Sequence, residues 1–444
     1  MMRFPMNPVD AAWWRMDTPT NRMIIVGLLE FDRVFTAADF TALLEERLQS
    51  FERFRRRVSA VSGRPHWEDD PEFSFSNHVV SVSDDPPTDD ASLKALVGGL
   101  MSAPFPAERP PWEFVVVESF KGGSVVIARL HHAIADGIAL IHVLRSLADD
   151  ADADGSASLV AMPQTRRPTG GTTIEEAEDV LEPVEARRLG LSDIVSWFRR
   201  LPRLTVALAK FAFTGSDRKT RFRGAQGVEK RVDWSGALDL SALRKAAVSH
   251  SATINDVLLA VVSGGLRRYL ERYRELAEDF ELRALIPVNL RHRHEELGLG
   301  NRFGLVILAL PVGLRNLAAR ITAVNRRMLD ARNSMEPVAA FGVLTALGRS
   351  PGFVENAAVW KLSSTSSAAI THVPGPRKRL VLGGRTLSDL MFWVPRGGSV
   401  GMGISILTYA GRARIGLATD AALVPDPDAL AMGISAELAD LGLS

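Results

Sequence analysis

The chain has 444 residues, of which 46% are hydrophobic, 24% charged and 7% aromatic, with a formal net charge of +1 and no cysteine. That length and apolar content suit two or three domains with cores of ordinary size. The near-neutral balance gives no support to nucleic-acid binding, and the lack of cysteine removes disulfides, thiolate metal sites and a cysteine nucleophile, in keeping with an intracellular protein.

The N-terminal stretch is broken by Asp10, Arg15 and Asp17 and does not read as a signal peptide. The longest apolar run, Phe303 to Leu314, is strand-sized and contains Pro311. A chain of this kind is expected to touch a membrane without crossing it.

The β-branched run Met23 to Phe31 predicts a strand. A helix follows: Thr36 with Asp39 resembles a capping box, and Phe40, Leu43, Leu44, Leu48 and Phe51 recur at helical spacing. Arg53 to Arg57 place positive charge at its C-terminal end, where the helix dipole favours it. Arg53, Arg55, Arg56 and Arg57 either form a solvated helix end or attract the phosphates of a co-substrate. Strands are predicted at Phe114 to Glu118 and Ser124 to Leu130, then a helix at Gly137 to Leu147. Together they suggest a layered α/β domain ending near residue 160.

From Asp149 to Thr173 the composition turns to Asp, Ala, Ser, Gly and Pro, which reads as a linker. Residues 174–224 read as helical, acidic first and basic afterwards. Arg199 to Arg223 mix Arg and Lys with Leu, Val and Phe, consistent either with an interfacial helix on anionic lipid or with an interdomain helix basic on its outer face. A second α/β body begins near Val228. It holds a helix at Asn255 to Arg274 and strands near Arg283 to Val288, Phe303 to Leu310, Ser366 to Val373 and Gly401 to Tyr409. A closing helix spans Pro427 to Leu441.

The informative segment is VVIARLHHAIADGIALIH, from Val125 to His142. A strand delivers His131 and His132 to its end, and adjacent strand residues point to opposite faces, so the two histidines must have different roles. Asp136 is placed to cap the following helix or to pair with an arginine, and Gly137 permits a sharp turn. A histidine suits acyl transfer to an alcohol, because it can take a hydroxyl proton and return it to a leaving thiolate.

HHAIADG resembles the HHxxxDG signature of chloramphenicol acetyltransferase-like enzymes, condensation domains and bacterial wax ester synthase/diacylglycerol acyltransferases. The last family is similar along the whole chain. The similar segments are Asn7 to Ala11, Arg109 to Glu113 (a PLW-like segment carrying Trp112), Asn255-Asp256, and Pro287 to Arg291 with Gly300-Asn301. Further on, Thr371 to Pro376 stands where the family has SNVPGP, and Gly403 to Gly411 and Pro425 to Pro427 complete the series.

The resemblance implies an α/β protein of two acetyltransferase-like domains, mixed sheets flanked by helices, with an active-site tunnel between them. The expected division is residues 1–160, a linker with a basic amphipathic helix at 161–224, and residues 225–444. It makes His132 the general base and Asp136 the residue that holds the local geometry. Asn255 becomes the candidate oxyanion donor, or else a tie between its helix and a neighbour. His131, Gly137, Trp112, Asp256 and Arg291 are motif or structural positions, and His372 is a second histidine to consider. Acyl-CoA is the implied co-substrate, with no permanently bound cofactor and no metal, and the acceptor is a long-chain alcohol or diacylglycerol. A cytoplasmic enzyme held peripherally at membrane or lipid droplets is expected. Two rivals use the same fold: a catalytically silent lipid-binding scaffold, and a condensation-type acyltransferase fed by a carrier protein.

Overall fold

A computed structural model of the chain describes residues 2–149, 214–277, 279–290, 299–332, 334–350 and 352–443. Arg291 lies outside the described residues, as does the basic-apolar segment from Arg199 as far as residue 213.

The motif strand Gly123–His131 is buried at all nine positions, so its sequence is apolar on both faces instead of alternating. It lies between Ile24–Phe31 and Trp112–Phe120, antiparallel to both. On one side Val126, Ala128 and Leu130 share a core with Phe40 and Leu44 of the helix Ala37–Arg47. On the other, Val125 and Ile127 pack with Leu93 and Val97 of the helix Asp90–Ser102. The helix Ala37–Arg47 ends earlier than its apolar spacing predicts, with Leu48 as its C-cap. Arg56 and Arg57 then begin the strand Arg56–Val61, which joins Arg64–Asp69 and Arg3–Pro5 in a small separate sheet. Only half of the expected capping box forms. Thr36 Oγ1 accepts from the Asp39 amide at 3.1 Å, while the Asp39 carboxylate pairs with Arg385.

The second sheet runs Phe303–Leu310, Leu282–Asn289, Ala368–Pro374, Met402–Tyr409, Arg412–Asp420, Lys230–Trp234, with Leu238–Asp239 pairing off Arg412–Asp420. The helix Ile254–Arg272 covers one face together with Leu317–Arg332 and Pro427–Asp440, through Val257, Val261, Ile321, Leu430 and Ile434. Mixed sheets flanked by helices are therefore the architecture, as the sequence resemblance implies.

One strand crosses between the halves. Between Ala368–Pro374 and Met402–Tyr409 the chain leaves the second sheet, and Arg385–Trp393 pairs antiparallel with Ile24–Phe31 in the first. A division at residue 225 keeps this strand with the second half, but backbone pairing assigns it to the first sheet, whose apolar edge it closes. Leu387, Leu390 and Phe392 join the core beneath the first sheet, and so do Val373, Leu407 and Tyr409 of the second. The Tyr409 hydroxyl fastens the crossing, accepting from the Leu380 amide and donating to the Leu387 carbonyl, both at 2.8 Å. Trp393, fully buried, packs against Trp234 and donates its indole N–H to the Asp233 carbonyl at 3.3 Å.

Truncating that indole would open a cavity where the two halves meet. Trp393→Ala should destabilise the protein by about 3–5 kcal/mol, measured as a fall in the urea midpoint reported by near-UV circular dichroism. An unchanged midpoint would mean that the crossing strand contributes little to holding the halves together.

Candidate active site

The strand ends at His131, and backbone bonds then turn the chain sharply. His132 N–H donates to the Met23 carbonyl at 2.7 Å, and Ile134 N–H donates to the His131 carbonyl at 2.9 Å. The two histidines diverge, as strand alternation requires. His131 Nε2 faces the Asp17 carboxylate at 3.5 Å, its Nδ1 accepts from the Ala133 amide at 3.1 Å, and its ring lies 4.8 Å from that of Trp14. It braces the turn.

His132 faces the seam between the halves. Trp13, on the helix Pro8–Met16, stacks on its ring at 4.1 Å with planes 10° apart, and Phe303 of the second sheet lies 6.0 Å away. Asn301 Nδ2 donates to the His132 carbonyl at 2.8 Å. Burial pushes the imidazole down to about 4, and the nearby Asp136 carboxylate only partly opposes this. The ring is therefore neutral at pH 7, with its lone pair available.

Asp136 caps the helix Gly137–Ser146, accepting from the Ala139 amide at 3.0 Å. Its other oxygen accepts from the Arg302 backbone amide of the second half at 3.2 Å. One carboxylate thus fixes both the start of the motif helix and the approach of the second sheet. Gly137 is required for a different reason from the turn that its sequence suggests. Its φ is not in the left-handed region, and an added Cβ would lie 2.9 Å from Val373 Cγ2. It lets the second sheet approach closely. Beyond this contact lies a cavity of about 100 Å³ whose walls are apolar, among them Leu140 and Leu144 of the motif helix, Ile25, Phe40 and Leu130. Cavities of this character stay dry and accept small hydrocarbons.

The remaining sequence candidates take more varied places. Trp112 is buried beneath the first sheet, donates to the Phe54 carbonyl at 2.7 Å and stacks on His78 at 4.1 Å. Asp256 completes a capping box with Thr253 and accepts from Asn325 Nδ2 at 2.8 Å, a structural role. Asn255 and His372, from two distant motifs, meet: Oδ1 and Nδ1 are 3.1 Å apart. Burial holds His372 at about 4, so it is neutral as well. The tie between Asn255 and a neighbouring element is therefore present, and it leaves the amide Nδ2 as a further donor.

The arginine cluster is largely committed within the chain. Arg53 pairs with Asp10 at 3.0 Å, Arg56 with Glu52 and Asp69, and Arg57 approaches Glu68 and Glu108, while Arg55 remains exposed. Three of the four thus neutralise carboxylates of this protein, and a phosphate would have to compete with them. Sequence reasoning overlooked Trp13 and Phe303 as neighbours of His132. The adjacent Trp13 and Trp14, near the end of the short helix that precedes the strand Ile24–Phe31, were the available signal. Among the described residues no group of acidic or histidine side chains is placed to hold a metal ion.

A buried histidine from an HHxxxDG turn sits at the seam of two mixed sheets, in a fold of the condensation-domain-like class. The fold agrees: the chain matches a condensation domain of the CDA synthetase with TM-score 0.60 and 16% identity, over 99% of this chain and 97% of that one. Residues 6–258 match the wax ester synthase/diacylglycerol acyltransferase catalytic domain, and residues 299–442 match the WS/DGAT C-terminal domain. The protein belongs to the wax ester synthase/diacylglycerol acyltransferase family. The wax ester synthase/diacylglycerol acyltransferase from Marinobacter aquaeolei VT8 shares the fold with TM-score 0.68 and 18% identity, covering 99% of this chain and all of that one. A probable diacylglycerol O-acyltransferase of Mycobacterium tuberculosis is 27% identical over 410 residues, 90% of this chain and 87% of the relative. A second from that organism is 26% identical over 461 aligned residues, covering 98% of each chain.

The low proton affinity of His132 sets the expected pH behaviour. Folding favours its neutral form, so the associated stability is present above the ordinary value of 6.5 and is lost as pH falls toward about 4. The rate constant kcat/KM should stay flat from pH 8 through 6.5, with its acid limb near pH 4 to 5. Short assays in which circular dichroism confirms the fold would check this, and an acid limb centred on 6.5 would contradict the buried, neutral imidazole.

Proposed function

We propose that this protein transfers a fatty acyl group from coenzyme A to the hydroxyl of a long-chain alcohol or diacylglycerol, directly and with His132 as general base. The observation that carries the reading is the neutral His132 ring, stacked on Trp13 with Phe303 nearby, in the turn that leads to the helix walling an apolar cavity. A charged or small polar acyl group would gain nothing from such walls, whereas a hydrocarbon chain gains roughly 0.8 kcal/mol per buried methylene.

In the proposed step His132 takes the hydroxyl proton as the alcohol oxygen attacks the thioester carbonyl. The tetrahedral intermediate then collapses, the C–S bond breaks, and the proton passes from the imidazolium to the departing sulfur. The products are an ester and free coenzyme A. With His372 Nδ1 protonated, the Asn255 Oδ1 accepts from it and Nδ2 is free to donate to the oxyanion. The chain contains no cysteine, and His132 can serve hydroxyl and thiolate in turn, which favours a ternary complex over an acyl-enzyme.

The enzyme works peripherally at a cytoplasmic membrane or lipid-droplet surface in this reading. Its substrates are greasy, the segment from Arg199 to Arg223 is basic and apolar, and no single helix among the described residues is long and apolar enough to cross a membrane.

His132→Ala should lower turnover of a labelled acyl-CoA at least 100-fold, the lower end of general-base contributions. Initial-rate plots against both substrates should intersect, and protein quenched with acyl-CoA alone should show an unmodified mass. Parallel plots with a stable acyl adduct would replace direct transfer by a covalent route. Turnover that requires a phosphopantetheinylated carrier protein in place of free acyl-CoA would move the enzyme to the condensation type.

A further inference from the structure

Two motifs that the proposed chemistry leaves unused meet behind His132. Asp10, from the N-terminal signature, is fully buried. One of its oxygens accepts from the Asn301 backbone amide at 3.0 Å and from Asn301 Nδ2 at 2.8 Å. The other accepts from Arg53 Nη1 at 3.0 Å, and Arg53 Nη1 also donates to the Ile134 carbonyl, inside the histidine turn, at 2.8 Å. A buried carboxylate is costly unless it is paired and hydrogen-bonded, and this one is held on both oxygens. The chain from Arg53 through Asp10 to Asn301 therefore links both halves of the protein to the turn that carries the base.

Asn301 itself is buried, and its Nδ2 donates to both Asp10 and the His132 carbonyl, which uses both of its hydrogens and fixes the orientation of the amide. Its Oδ1 is buried without a hydrogen-bond partner among the described residues, and so is His132 Nδ1. An unused acceptor and an unused ring nitrogen thus lie on two residues already bonded to each other. The preceding Gly300 has φ of +129°, a backbone that favours glycine, and an added Cβ would stand 3.4 Å from Arg53 Nη1 and 3.5 Å from Asp10 Oδ2. The loop is shaped to bring Asn301 to this place.

We infer that Asn301 is a positioning residue for the base: its Nδ2 anchors the histidine turn, and its Oδ1 is the acceptor that keeps the proton of His132 on Nδ1. The lone pair then stays on Nε2, the nitrogen available to the hydroxyl. Because Asn301 comes from the second half and is oriented by Asp10 of the first, the base takes its working tautomer only when the halves are docked. This role rests on the reading of His132 as general base.

The test uses full-length protein labelled with ¹⁵N-histidine, with the His132 ring signals assigned by comparison with His132→Ala. Wild type should show the Nδ1–H tautomer. Asn301→Ala should shift the ring toward Nε2–H and lower kcat roughly 100-fold, the scale of a misplaced catalytic group, with KM for acyl-CoA within about twofold of wild type. Asp10→Asn, nearly isosteric, frees the Asn301 amide to turn and should change tautomer and kcat in the same direction by less. It also serves as the readout if Asn301→Ala does not fold. Wild-type kcat in Asn301→Ala, or a lowered kcat with an unchanged tautomer, would overturn the role given to Asn301. Full activity in His132→Ala would instead remove the base reading on which it stands.

Discussion

The pairing of Ile24–Phe31 with Arg385–Trp393 is the contact on which the other features depend. It places a strand of the second half in the first sheet, separated from the motif strand only by Ile24–Phe31, so the two sheets cannot move as independent bodies. Ile24 pairs on its other side with His131, which ties the location of the histidine turn to the same strand. The close contacts at the seam follow from this fixed apposition. Val373 can rest on Gly137, and Asp10 can reach Asn301, only because the crossing strand sets the distance between the halves.

That apposition also creates the electrostatic character of the site. His132 is shielded by Trp13 from the first half and Phe303 from the second, and the loss of water disfavours its charged form. As the base of the proposed reaction, an imidazole so buried is unprotonated near neutrality but reluctant to accept a proton. In acyl transfer the reluctance is relieved where it matters: negative charge develops on the reacting oxygen and then on sulfur, next to the imidazolium that forms. The neighbouring Asp136 carboxylate acts in the same direction. Hydrogen bonds to the first turn of the motif helix and to the backbone of the second half keep that charge in place.

Polar groups near the seam serve geometry more than chemistry. His131 braces the turn against Asp17, Trp112 locks the core under the first sheet, and Asp256 caps the long helix of the second half. Arg53 has a similar duty, because a guanidinium beside a buried carboxylate and a turn carbonyl is already occupied. Beyond Gly137 lies an apolar cavity, and the motif helix that begins at the histidine turn forms one of its walls.

The sequence by itself determined whatever acts over a few residues. β-branched runs specified the strands Ile24–Phe31, Gly123–His131 and Phe303–Leu310, and helical spacing after Asp136 and Thr253 specified the two capped helices. Strand alternation separated His131 from His132, and the resemblance of HHAIADG to the HHxxxDG signature implied acyl transfer. Tertiary structure alone decided which sheet Arg385–Trp393 would join, that Arg53 would neutralise Asp10, and that Asn255 would meet His372. It also decided why position 137 must be glycine, since the obstacle there is Val373, more than two hundred residues away in the chain. The physical reason is one of range. Periodicity and capping are satisfied within one or two turns of backbone, whereas the neighbour that covers an edge, pairs a buried charge or leaves no room for a Cβ is set only when distant segments pack together.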